Sequence, residues 1–214
     1  MLFNLLEFCR LNDIKKFIFA SSREVYGNSG LSLCTEEDAR VKNCESPYTA
    51  SKIGGEALIH AYHQCYGIDF IILRFSNVYG MYDDSDRVIP RFIRQTLKNE
   101  DLTVYGKNKM LDFTYIDDTV DGIIRCVEHF SKVKNSVFNI ASGKSVPIIE
   151  IAEQIIQGMR GKNSVVLKNN RRGEVIQSSI DISKAHRELG YSPKTQIHDG
   201  IKKTLVNYKT IINE

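Results

Sequence analysis

The chain has 214 residues, 42% of them hydrophobic and 26% charged, with a formal net charge of +3 at pH 7. Such a chain makes one or two ordinary globular domains with a real core. The small, scattered basic excess argues against nucleic acid and membrane partners, and leaves room for a basic patch that meets a phosphate-bearing substrate. Five cysteines (Cys9, Cys34, Cys44, Cys65 and Cys126) form no CxxC pair, which disfavours a disulfide framework and a zinc knuckle and fits a reducing compartment. Neither a signal peptide nor an apolar run approaching the ~20 residues of a membrane span stands out, so a soluble, cytoplasmic protein is expected.

The elements alternate along the chain. Residues 4–11 read as a helix with Leu5, Leu6 and Phe8 on its apolar side, and 16–21 (KFIFAS) as a short strand. A polar loop runs to Glu45. Ser46 and Pro47 then make a good helix start, as N-cap and first helical residue. That helix is predicted to reach Tyr66 and to stop at Gly67. Residues 69–75 (DFIILRF) read as a second buried strand. Two strands joined by a helix imply a parallel sheet, whose ligands bind beyond the carboxyl ends of the strands. The places to look are therefore 21–27 and 76–80. Further on, helices are expected at 88–98, 119–130, 147–159, 183–189 and 197–212, and strands at 102–105, 113–116, 136–140 and 165–168. The fold class is α/β: residues 1–80 as part of a Rossmann-like sheet, and 81–214 mostly a smaller α/β lobe with some elements returning to the sheet.

Tyr48 and Lys52 stand four apart at the start of the first long helix, and so face the same way. A tyrosine hydroxyl in water titrates near ~10, and a neighbouring cation favours the phenolate by roughly 1–3 pH units. The pair can therefore accept a proton from an alcohol, although YxxxK by itself is often no more than two solvated helix residues. Ser21 and Ser22 end the preceding strand, where a hydroxyl could reach the same substrate oxygen; local turn hydrogen bonds are the plainer reading. Asn77 follows the next strand and offers an amide to a phosphate or a sugar, or simply makes a turn. His60 and His63 lie three apart, but no third metal ligand is evident.

Taken together, S-S-x-x-V-Y-G (21–27), S-P-Y-x-x-S-K (46–52) and L-R-x-x-N-V-Y-G (73–80) resemble the extended short-chain dehydrogenase/reductases, specifically the NAD-dependent nucleotide-sugar epimerases and dehydratases. The resemblance continues through Val88-Ile89-Pro90, Gly106, Asp112-Phe113, Asp117-Asp118, Phe138-Asn139-Ile140, Arg171-Arg172-Gly173-Glu174, Asp181 and Leu189-Gly190-Tyr191. It covers essentially the whole chain and is closest to the UDP-sugar 4-epimerases.

The resemblance implies Tyr48 as base, with Lys52 holding the nicotinamide ribose, Ser22 as the catalytic hydroxyl and Glu24 as a further acid. It implies Ser21, Phe75 and Val78 along the cofactor, and Asn77, Val88, Arg171 and Glu174 on the nucleotide sugar. It further implies NAD, a UDP-sugar substrate oxidised transiently at C4, and a homodimer formed through the helix holding Tyr48 and the one before Lys16. Close approach of the cofactor or of a partner helix would account for Gly54 and Gly55 inside that helix. Where the family often has a phosphate-binding Arg before Asp112, this chain has Leu111, and Lys107 or Lys109 would have to substitute; Met81 stands where Pro is usual. No GxxGxxG or GxGxxG precedes Tyr48. Aligned to the family, Met1 falls in the helix before a late strand, so the pyrophosphate-binding half is expected to be missing and NAD to bind weakly unless a partner supplies it. Glu24 motivates a 4,6-dehydratase or decarboxylase as the alternative reaction, with Arg23 in place of the Asp that dehydratases carry. The missing glycine loop motivates a non-catalytic nucleotide-sugar-binding remnant.

Overall fold

A computed structural model describes residues 1–170 and 179–212. The run DFIILRF forms β2 (Asp69–Phe75) between β1 (Lys16–Ser22) and β6 (Ser136–Ile140), all parallel. An interior strand covered on both faces has no solvent-facing side, which is why residues 70–73 (FIIL) form an unbroken apolar run, with Arg74 tolerated near its end through its pair with Glu56. Successive side chains point to opposite faces. Phe70 and Ile72 pack with Leu6 of α1 (Leu2–Leu11) and with Ile59 and Tyr62 of α2 (Pro47–Tyr66). Ile71 and Leu73 pack on the other side with Cys126, Phe138 and Leu189.

The ends of α2 are set by local chemistry. The Ser46 hydroxyl accepts from the Thr49 N–H at 3.1 Å, Pro47 takes the first helical position, and Gly67 closes the helix at φ 66°, a left-handed conformation that glycine adopts without strain. A Cβ on Gly55 would lie 2.7 Å from Phe19 and 3.2 Å from Leu2. The close approach at Gly55 is thus with β1 and α1 of the same chain. Gly54, by contrast, meets no described atom within 4 Å.

Beyond β2 the chain builds a second layer. β3 (Asn77–Tyr79) pairs in parallel with β5 (Met110–Tyr115), β5 pairs antiparallel with β7 (Ser145–Pro147), and β4 (Leu102–Tyr105) pairs in parallel with β8 (Val165–Lys168). Helices α3 (Val88–Leu97), α6 (Ile148–Met159) and α8 (Ile197–Ile212) close a core around Phe92, Ile93, Leu111, Ile151, Ile155 and Ile201. Helices α4 (Ile116–Glu128), α5 (Phe130–Val133) and α7 (Ser183–Leu189) complete the chain. Strands β3 and β7 escape the sequence pattern because three residues are too few to show a period. β5 starts at Met110 rather than 113 because Asp112 interrupts its apolar run. That buried carboxylate accepts from the backbone N–H groups of Ser142 and Lys144, each at 3.0 Å, which satisfies it inside a strand. The polar loop after β1 contains three short 3₁₀ turns, at Arg23–Tyr26, Glu36–Asp38 and Val41–Asn43. Among the described residues no helix is long and apolar enough to cross a membrane.

Candidate active site

The carboxyl end of β1 delivers Ser22 directly into the Arg23–Tyr26 turn. The Ser22 hydroxyl caps that turn by accepting from the Glu24 N–H at 3.2 Å, which leaves its own proton to donate outward. Gly27 ends the turn at φ 56°, where a Cβ would lie 2.0 Å from the Asn43 carbonyl oxygen; no other residue fits the third position of this V-Y-G. Helix α2 starts alongside. The Lys52 ammonium donates to the Ala20 carbonyl at 2.8 Å and lies 5.4 Å from the centre of the Tyr48 ring. Tyr48 is 50% exposed, so a ligand can reach its hydroxyl. These residues fit the nicotinamide end of a dinucleotide: an ammonium fixed at the carboxyl end of a parallel strand, with an open phenol beside it.

The other predicted positions separate into ligand-facing and buried groups. Asn77, Val78 and Val88 line one cavity together with Arg87, Arg91 and Lys109. Asn77 accepts from Arg23 Nη2 at 3.2 Å and donates from Nδ2 to the Asp112 carbonyl at 2.5 Å. Of the two lysines considered near Leu111, Lys109 lines this cavity and Lys107 does not. Arg87 and Arg91, which also line the cavity, were not singled out in the sequence; their signal was their position at the start of α3. Glu24 is half-buried and accepts from the Thr49 hydroxyl at 3.3 Å. Phe75 ends β2 beside Ser22 and packs against the cluster around Phe138. Arg171 and Glu174 lie outside the described residues.

Ser21 turns the other way. It is 3% exposed, and its hydroxyl donates to Glu56 of α2. It belongs to a buried network in which Arg74 donates to both Glu56 oxygens (3.0 and 2.7 Å) and to the Tyr26 hydroxyl (3.2 Å), while Tyr26 donates to Asn139 at 2.5 Å. Burial pushes the Tyr26 hydroxyl far above its ordinary titration range, outweighing the pull of Arg74, in keeping with its place as a donor to Asn139. His60 stacks edge-on against Phe70, and among the described residues no group of three His, Cys, Asp or Glu could hold a metal.

A parallel sheet that brings a Ser, a Tyr and a Lys to one strand end, with a cation-lined cavity at the neighbouring strand end, has the form of a dinucleotide-binding fold. Comparison with known proteins agrees. The chain belongs to the NAD dependent epimerase/dehydratase family, whose profile matches residues 1–141. The UDP-glucuronate 4-epimerase of Thermodesulfobacterium geofontis is 34% identical over 207 residues, spanning 94% of this chain and 62% of that protein. The structure of the UDP-glucuronic acid 4-epimerase from Bacillus cereus, in complex with UDP-glucuronic acid and NAD, superposes with a TM-score of 0.91 at 31% identity, over 98% of this chain and 66% of that one. A dTDP-glucose 4,6-dehydratase double mutant from Streptomyces venezuelae, with NAD bound, superposes with a TM-score of 0.89 at 27% identity, covering 97% of this chain and 64% of that one. The chain thus spans about three-fifths of the length of the curated relative (62%).

Proposed function

We propose that this chain carries the catalytic edge and the sugar-nucleotide cavity of an NAD-dependent UDP-sugar 4-epimerase. The observation that carries the reading is the placement of Tyr48, Lys52 and Ser22 at one strand end, next to a cavity lined by Asn77, Arg87, Arg91 and Lys109. Tyr48 takes the proton from the sugar O4, Lys52 holds the nicotinamide ribose and favours the phenolate, and Ser22 donates its hydroxyl to the same oxygen. When bound, NAD supplies a reversible hydride acceptor. The cations of the cavity seat the diphosphate, and Val88 packs against the nucleotide sugar. In this reading Phe75 and Val78 border the cofactor, while Ser21 supports the site from behind through Glu56.

The 4,6-dehydratase alternative needs Glu24 as a free acid or base at the sugar. Its contact with Thr49 ties it instead to the first turn of α2, which favours epimerisation. Products decide between them. With NAD and UDP-glucose or UDP-glucuronate supplied, the account expects a C4 epimer of unchanged mass by NMR and mass spectrometry. A product lighter by one water would replace the epimerase by a dehydratase.

The protein is read as cytoplasmic, in line with its free thiols. It is also read as a homodimer through the outer faces of α1 and α2, where Phe3, Leu5, Phe8 and Tyr66 are exposed. Light scattering at twice the chain mass supports the dimer, and a monomer at micromolar concentration rules it out.

A further inference from the structure

Arg23 follows Ser22 directly and is only 7% exposed. A buried guanidinium keeps its charge and needs a counter-ion to offset lost hydration. Arg74, the other deeply buried arginine, has one, in a two-pronged pair with Glu56. Arg23 forms no ion pair among the described residues. Its Nη2 donates to Asn77 at 3.2 Å, and its Nη1, shut off from solvent, has no hydrogen-bond partner. Buried polar groups almost always have partners, and among the described residues this atom has none.

The acidic groups that act on its charge are Glu24, Asp112 and the Tyr48 hydroxyl. Two of these are committed elsewhere: Glu24 accepts from Thr49, and Asp112 from the backbone of Ser142 and Lys144. Arg23 follows Ser22 in the chain, and its guanidinium is held against Asn77, which lines the cavity. Arg87, Arg91 and Lys109 line that cavity from α3 and from the turn before β5, and they serve the diphosphate. What remains for Arg23 is the sugar ring itself, which must sit at Tyr48 for its proton to be taken.

Building on the epimerase reading, we propose that Arg23 is a specificity-determining residue whose Nη1 receives a carboxylate borne by the sugar, making nucleotide-linked uronic acids the preferred substrate class. Offering Nη1 to the ligand requires the guanidinium to turn about its own chain and give up its hydrogen bond to Asn77. A carboxylate accepts such a donor in a charge-assisted hydrogen bond, and the dry surroundings strengthen it.

The test is calorimetric titration of the whole chain, with and without NAD, against UDP, UDP-glucose and UDP-glucuronate. Wild type should prefer UDP-glucuronate to UDP-glucose. Arg23→Met should weaken UDP-glucuronate by roughly tenfold or more, with UDP and UDP-glucose unchanged within about twofold, and Arg23→Lys should keep part of the preference. Because Arg23→Met removes a buried unpaired charge, its Tm should match or exceed wild type, which separates recognition from folding. Equal weakening of all three ligands would place Arg23 on the diphosphate and overturn the proposal. So would a lower Tm with unchanged affinities, or a wild type without preference. Failure of wild type to bind UDP at all would instead reject the epimerase reading, and this inference with it.

Discussion

Arg74 and Glu56 form a pair whose side chains are only 5% and 11% exposed. Removing one partner of such a pair leaves a buried charge without compensation and typically costs 3–5 kcal/mol, whereas replacing both by apolar residues is close to neutral. Glu56→Ala is therefore expected to lose about 3–5 kcal/mol in urea unfolding, and Glu56→Leu with Arg74→Met together to lose little; a small loss in the single variant would show that the network is not structural. The same residues mark what can be read from a sequence. Arg74, Tyr26 and Asn139 stood out as motif positions, but their partners are 18, 48 and 113 residues away. Pattern alone therefore could not separate the motif residues that build the site from those that touch ligand. Tyr48 and Lys52 were legible because helical spacing is local. Arg23 was visible only as a mismatch with the dehydratases, since its significance lies in a hydrogen bond it does not make.

At the scale of elements, α1 and α2 are joined across the sheet face by Glu7, which accepts from the Tyr62 hydroxyl of α2 and from Arg10 of its own helix. The Arg10 guanidinium and, next, the Tyr62 hydroxyl hold the Glu7 carboxyl down to about 2, from an ordinary 4.5. A depressed carboxylate stabilises the folded state above its unfolded titration range, and that contribution is lost as pH falls through the folded value. Thermal unfolding followed from pH 6 to about 2 should thus show a decline below about 4.5 that is shallower in Glu7→Gln; parallel curves would remove Glu7 from the α1–α2 contact. The elements themselves were largely open to sequence reasoning. The Ser46 cap, Pro47 and Gly67 bracket α2, and the apolar run at 70–73 marks β2. What stayed hidden were the three-residue strands β3 and β7, and the first half of β5. Their pairing depends on partners distant in the chain, and Asp112 is tolerated inside β5 only through loop N–H groups.

Seen whole, the molecule is a parallel sheet whose strand ends face a second α/β layer, with the reactive side chains at that junction. The sheet lifts Ser22 and Asn77 from the ends of β1 and β2, α2 sets Tyr48 and Lys52 beside them, and α3 and the β4–β5 turn bring the cations. The proposed oxidation of a sugar hydroxyl next to a diphosphate would take place at that junction. The most direct check is to follow the C4 proton of UDP-glucuronate and UDP-glucose by NMR, with NAD in saturating supply, for wild type and Tyr48→Phe side by side. The account predicts that the epimer accumulates with wild type, and that Tyr48→Phe slows its formation by roughly 10²–10⁴-fold while UDP binding is retained. Epimerisation by Tyr48→Phe at the wild-type rate would contradict it.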